Sequence, residues 1–251
     1  MMIDTHCHLS KKDYDNLEEI IDCMNGNIMI VSTCNQGDLD ETLELCNKYS
    51  NIYACFGLHP ECADSYNEKD LLEIEKKLTN PKVVGVGEIG LDYHYTKDNK
   101  EKQKELFIKQ INLAIKYHKP VVIHSRDAIE DTYNIIKQYQ NQTKFHIHCF
   151  DSTPAFAKKF VELGCTLGIG GIVTFKKEKN LKEVIKELDL KNLCLETDSP
   201  YLTPEPYRGK QNEPYNIYFV ATAIAEIKNI DLKIVLESTT ETAKELFNLN
   251  I

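Results

Sequence analysis

Val83-Val84-Gly85-Val86-Gly87-Glu88 and, one helical stretch later, Pro120-Val121-Val122-Ile123-His124 decide the fold. Each is an apolar run without polar alternation, the pattern of a strand buried on both faces, and each ends in a residue that can hold a metal or move a proton. Between them, residues 101–117 place Leu106, Ile108, Ile111, Leu113 and Ile115 on apolar faces and leave Lys102, Lys104 and Lys109 solvated, as an amphipathic helix requires. A strand, a helix and a second buried strand imply parallel pairing, because a parallel connection needs a dozen or more residues. The unit recurs in both directions. Strand patterns cover residues 3–8, 27–33, 52–58, 83–89, 121–124, 145–149, 166–169 and 193–198. Weaker helical patterns cover 38–49, 69–78, 128–140, 154–163 and 178–188, and two tail helices are expected at 215–228 and 232–247. Eight repeats predict closure into an α/β (β/α)8 TIM barrel. The 251 residues, 1–251, match one such domain of about 250 residues, with no linker or low-complexity segment.

Composition narrows the function. With 30 Lys+Arg against 39 Asp+Glu, the net charge is −9, which argues against a protein that coats nucleic acid through its overall field. Any polyanion must be held locally. Nine cysteines, odd in number and without CxxC spacing, read as reduced thiols, and neither a leader pattern nor an apolar run of roughly 18 residues is present. A soluble, cytoplasmic protein is expected.

In a parallel barrel all strands point one way, so the residues ending them meet on one rim. His6 and His8, Glu88, His124, His148 and Asp198 end five of the predicted strands. His6 and His8 lie on one side of an extended strand, about 7 Å apart in Cα, and can grip one ion together. Cys7 between them faces the helix layer and is expected to be buried. An acid ending an apolar strand is costly to bury unpaired, and a carboxylate bridging two cations relieves that cost, which favours a bridging role for Glu88. His148 is chosen over His146 as nearer the strand end. Asp198 stands where Ser-Pro forces the chain out of its strand. Glu196 is expected on the opposite face in a structural pair.

Residues 203–214 contain Pro204, Pro206, Gly209 and Pro214, which forbid regular structure, so this segment is expected to fold over the rim. It carries Arg208, and Arg126 follows His124 by two positions. Arginine suits bidentate phosphate recognition, so both are candidate substrate contacts. His59, ending the third strand in Gly57-Leu58-His59-Pro60, is a third.

Together these motifs resemble the TatD family of metal-dependent deoxyribonucleases. The matching stretches are Ile3-Asp4-Thr5-His6-Cys7-His8-Leu9, Gly57-Leu58-His59-Pro60, Gly87-Glu88-Ile89-Gly90-Leu91-Asp92-Tyr93, Pro120-Val121-Val122-Ile123-His124-Ser125-Arg126, His148-Cys149-Phe150 and Leu195-Glu196-Thr197-Asp198-Ser199-Pro200-Tyr201-Leu202, continuing through Tyr207-Arg208-Gly209-Lys210 and Asn212-Glu213-Pro214. The resemblance runs in order along essentially the whole chain. It implies an amidohydrolase-like barrel, metal ligands at His6, His8, Glu88, His124, His148 and Asp198, and hydrolysis of DNA phosphodiesters. Ser10, His94 and Asp151 depart from the family pattern, and none of them removes a ligand.

The expected reaction uses two divalent cations, Mg, Mn or Zn, bridged by Glu88, with Asp198 taking the proton of the attacking water. The expected substrate is DNA, single-stranded or frayed and trimmed 3′ to 5′, with no membrane and no stable protein partner. Two other classes compete. One is a binuclear amidohydrolase cleaving a C–N bond of a small metabolite, in which a carboxylated lysine usually stands where Glu88 does. The other is a non-catalytic metal-binding scaffold, which an intact six-residue set argues against.

Overall fold

In the computed structural model, which describes residues 1–95 and 97–251, eight parallel strands stand in sequence order around a nearly closed barrel. They are β1 (Ile3–Cys7), β2 (Ile28–Ser32), β3 (Ile52–Cys55), β4 (Val83–Asp92), β5 (Val121–Arg126), β6 (Phe145–Ile147), β7 (Thr166–Ile169) and β8 (Leu193–Leu195). The helices on the outside are α1 (Leu17–Cys23), α2 (Leu39–Lys48), α3 (Glu68–Lys77), α4 (Lys100–Lys116), α5 (Ile129–Gln138), α6 (Pro154–Glu162), α7 (Asn180–Glu187), α8 (Ile217–Lys228) and α9 (Leu232–Phe247). All eight expected strands are present. α1, which the sequence reading passed over, is a seven-residue crossover that buries Leu17, Ile20 and Ile21.

The barrel closes between β8 and β1 just past the end of β8. Asp198 N–H donates to His6 O at 2.9 Å, and His8 N–H to Ser199 O at 2.7 Å. Beneath these bonds the buried Asp4 carboxylate accepts the Thr197 N–H at 3.0 Å and its hydroxyl at 2.6 Å, so the seam is tied by side chain as well as backbone.

Several strand ends depart from the sequence expectation, and side chains satisfy peptide groups left there. β3 stops at Cys55 rather than 58, and Gln110 of α4 accepts the Leu58 N–H at 2.8 Å and donates to Leu58 O at 3.0 Å. β4 runs three residues past Ile89 to Asp92, where Gln103 makes the same pair of bonds, each 2.8 Å. β6 ends at Ile147, and the Cys149 N–H goes to the Glu196 carboxylate at 2.6 Å. The buried face of α4 thus contains Gln103 and Gln110 with Leu106, Phe107, Ile111 and Ala114, whereas Ile108, Leu113 and Ile115 are only partly buried. Those glutamines sit inside because the strand ends leave peptide groups to satisfy.

Most of the core lies between strands and helices and includes Cys7, as expected. A separate cluster joins Ile28, Ile30, Val84, Val122 and Cys194 to Leu246 and Phe247 at the C-terminal end of α9. Strand alternation puts Val122 below His124 and Ile30 below Ser32, so α9 plugs the barrel end opposite the polar rim.

Candidate active site

At the C-terminal ends of the strands the structure brings His6, His8, Glu88, His124, His148 and Asp198 together. Donor atoms of His6, His8 and Glu88 lie within 4.8 Å of one another, as do those of Glu88, His124 and His148, and of His6, His148 and Asp198. Glu88, almost fully buried, stands between the groups and divides its oxygens. Its Oε2 lies 3.4 Å from His6 Nε2 and 3.9 Å from His8 Nε2. Its Oε1 lies 2.7 Å from His124 Nδ1 and 3.1 Å from His148 Nε2. Asp198 Oδ1 completes the first side at 3.6 Å from His6 Nε2 and 3.5 Å from His8 Nε2. The residue is held there by a left-handed backbone (φ 54°), which an aspartate tolerates better than most side chains.

Each imidazole has its second nitrogen turned to a protein oxygen. His8 Nδ1 lies 3.0 Å from the Ser32 carbonyl, and His6 Nδ1 lies 3.1 Å from the Ser32 hydroxyl. His124 Nε2 meets Asp92 Oδ2 at 2.9 Å, and His148 Nδ1 lies 3.3 Å from Glu196 Oε1. A nitrogen facing a carboxylate or carbonyl carries its proton, so the opposite nitrogen presents a lone pair. Lone pairs from His8, His124 and His148 therefore converge on a carboxylate, and the Ser32 hydroxyl leaves His6 free to do the same. An acceptor set aimed at an acceptor needs cations between its members, and the N/O donors suit a divalent metal.

Ionisation follows the same logic. Burial pushes the Glu88 carboxyl up, but the facing His148, His6 and His124 outweigh it and hold it well below the usual carboxylate range. Burial pushes His8 and His148 down, but Cys34 and Asp198 for the first, and Glu88 and Glu196 for the second, raise both well above the ordinary imidazole value. His124 is raised to about 9, because Asp92 and Glu88 overcome its burial. His6 is lowered by burial and by His148. These shifts favour positive charge on the imidazoles that face the carboxylates.

Two residues given no site role from sequence prove to matter. Asp92, fixed by Gln103, orients His124. Glu196, expected on the opposite face, is fully buried on the same side as Asp198: its Oε2 lies 3.5 Å from His146 Nε2, and its Oε1 faces His148. β8 ends at Leu195 and Asp198 has a left-handed backbone, so strand alternation did not tell on which side Glu196 would lie. Gly168 makes the room for it, since a Cβ there would come within 2.1 Å of Glu196 Oε2. Cys34, also unforeseen, places its sulfur 3.8 Å from Glu88 Oε2.

His59 ends at the same rim. Its Nδ1 accepts the Glu61 N–H at 3.3 Å and its Nε2 lies 3.9 Å from Glu88 Oε1, while burial lowers its pKa to about 4, so it is a neutral donor facing the centre. A cavity of about 350 Å³ opens above, lined by His124, His148, Asp198, Arg126, Tyr201 and Leu202, among others. Arg208 is not part of that lining; its guanidinium rests 4.0 Å from the Phe175 ring centroid. Residues 203–213 form neither helix nor strand, as Pro204 and Pro206 require, and Pro214 opens a short 3-10 turn, Pro214–Asn216.

The chain matches the family described as TatD related DNase over residues 3–248. It is 40% identical to the uncharacterized metal-dependent hydrolase YabD of Bacillus subtilis, covering 100% of both chains. It is 33% identical to a human protein named deoxyribonuclease TATDN3, over 98% of this chain and 94% of that one. The crystal structure of YJJV, a TatD homologue from Escherichia coli K12, superposes with a TM-score of 0.91 at 29% identity, covering 99% of this chain and 98% of that one. Fold, site chemistry and relatives agree, and the chain belongs to the TatD-related DNase family of metal-dependent hydrolases.

Proposed function

We propose that this protein hydrolyses DNA phosphodiesters with two divalent cations, trimming single-stranded or frayed ends in the 3′ to 5′ direction. One observation carries the reading: Glu88 turns one oxygen to His6 and His8 and the other to His124 and His148. His6, His8 and Asp198 would hold one cation, His124 and His148 the other, with Glu88 shared. When bound, such ions lower the pKa of water and neutralise the charge that develops on a phosphoryl group. Asp198, 14% exposed and bordering the cavity, can reach the attacking water and accept its proton. Arg126 on the cavity wall donates to the phosphate oxygens, and His59 offers an N–H from the other side. The family description and the name of the human relative support DNA as substrate.

A net charge of −9 gives little long-range attraction for DNA, so substrate must be held locally. A cavity of about 350 Å³ is near the lower limit for small-ligand pockets, about 300–1,000 Å³, and suits one flexible residue better than a paired one whose release costs a few kcal/mol. The C–N hydrolase reading is weaker, because Glu88 occupies the place that a carboxylated lysine would.

The test is a metal screen. Protein stripped with chelator is assayed with Mg²⁺, Mn²⁺ and Zn²⁺ on labelled single-stranded DNA, RNA, closed circular duplex and a small cyclic amide. Progressive shortening of single-stranded DNA, restored by metal, is expected. Amide cleavage without phosphodiester cleavage, or hydrolysis surviving complete stripping, defeats the proposal.

A further inference from the structure

We propose that Tyr201 and the Tyr95–Arg126 pair form a nucleobase-stacking subsite at the barrel mouth, which grips the base of the terminal nucleotide while its phosphate lies over the metal-facing residues. The inference rests on the phosphodiesterase reading. Tyr201 is 59% exposed on the cavity wall although its backbone is fixed: its N–H donates to Asp198 O at 2.8 Å, and its carbonyl accepts from Asn212 Nδ2 at 2.7 Å. The Tyr201 and His8 rings meet in a T-shape, centroids 6.1 Å apart, rather than stacking on one another.

Arg126 lines the same cavity, and its guanidinium lies 5.1 Å from the centroid of the Tyr95 ring, which is itself 71% exposed. A 3.4 Å bond from Arg126 Nη1 to the Tyr95 hydroxyl joins the two planar groups. Arg126 thus borders the space with its guanidinium beside an aromatic ring and tied to the Tyr95 hydroxyl through Nη1, which leaves its other N–H groups for a phosphate. Tyr95 also meets the His94 ring edge-on at 4.8 Å, whereas Tyr207 and Tyr218, likewise exposed, pack edge-on against Phe219 and do not line the cavity. Exposed aromatic rings and a guanidinium beside an ionic centre match a ligand that joins a flat heterocycle to a phosphate. Stacking accepts any base, because every base has a π-face, whereas a base-free phosphodiester gains nothing from it.

The probes are two single-stranded oligonucleotides, one ending in 2-aminopurine and one ending in an abasic residue. Binding is read as quenching of the 2-aminopurine fluorescence, and cleavage as the ratio of KM for the two ends. The wild-type protein should quench the fluorophore and prefer the base-bearing end by about tenfold or more in KM. Tyr201→Ala and Tyr95→Ala should each shrink that ratio severalfold, and Tyr201→Phe should retain it. Tyr201→Leu keeps bulk without a π-face and should behave as the alanine variant, which separates stacking from damage to packing around His8. No quenching by wild type, or an unchanged ratio in both alanine variants, overturns the subsite. Quenching without cleavage of either oligonucleotide keeps the subsite and defeats the phosphodiesterase reading instead.

Discussion

Gly168→Ala tests whether the geometry beneath the centre governs its chemistry. The added Cβ would stand 2.1 Å from Glu196 Oε2, 2.7 Å from its carboxyl carbon and 3.0 Å from His146 Nε2. Contacts to a real Cβ stay at or beyond 3.0 Å, so the carboxylate oxygen must retreat by about 0.9 Å, the difference between 3.0 and 2.1 Å. It cannot do so freely, because Glu196 is fully buried, its other oxygen accepts the Cys149 N–H at 2.6 Å, and it faces His148 Nδ1 at 3.3 Å. Overpacking of this kind costs about 1–3 kcal/mol, which in a chain of this size lowers Tm by roughly 2–12 °C. Because His148 leans on Glu196, its Nε2 shifts relative to Glu88, and a misplacement near 1 Å costs on the order of 100-fold in turnover. The matched control is Gly170→Ala, whose Cβ would meet Glu196 Cγ at an ordinary 3.7 Å. Calorimetric melting, metal content by mass spectrometry and kcat on single-stranded DNA are measured for both. If Gly168→Ala turned over within threefold of wild type with full metal content, or if both variants lost activity equally, the link from Glu196 to His148 would be wrong.

Three further outcomes are expected. Asp198→Asn should fold normally yet lose well over tenfold in kcat, a barrier increase above about 1.4 kcal/mol, and retention of more than a tenth of wild-type turnover rules it out as the proton acceptor. Asp92→Ala should weaken metal binding by about 10–100-fold in chelator competition, since His124 loses the oxygen that fixes its tautomer, and an unchanged Kd counts against that role. In the metal-free protein, His124 has its folded-state pKa raised to about 9. Its contribution to stability is therefore full below the ordinary value near 6.5 and disappears as pH rises through 9. His59, lowered to about 4, works in the opposite sense, stabilising above about 6.5 and losing that contribution as pH falls through 4. Melting of stripped protein from pH 6.5 to 9.5 should show a decline, and metal uptake at pH 7.5 should release protons, read by calorimetry in buffers of different ionisation enthalpy; uptake without proton release contradicts the protonated imidazoles.

How much was legible in sequence depends on the range of the interaction concerned. Strand and helix order could be read because each repeat carries its own period and its own apolar run, and eight such runs of parallel type leave few ways to close. The six residues at the centre were legible for a related reason: a histidine or acid ending a buried strand is anomalous on local grounds, and the direction of the strands sends all such ends to one rim. The orientation of those side chains was not legible. Which nitrogen of His124 or His148 faces Glu88 is set by Asp92 and Glu196, contributed by β4 and by the segment after β8, and the sequence holds no local sign of either pairing. The same holds for strand limits. β4 continues to Asp92 because its ladder with β5 continues, Gly90, Leu91 and Asp92 pairing with His124, Ser125 and Arg126, whereas β3 stops at Cys55 and Gln110, on the buried face of α4, satisfies the peptide groups of Leu58. Sequence alone determined the order of the strands and of every helix but α1, and which six histidines and acids reach the rim, since period and polarity are local properties. Only the tertiary structure decided which lone pairs point inward, because a tautomer is fixed by a partner distant along the chain.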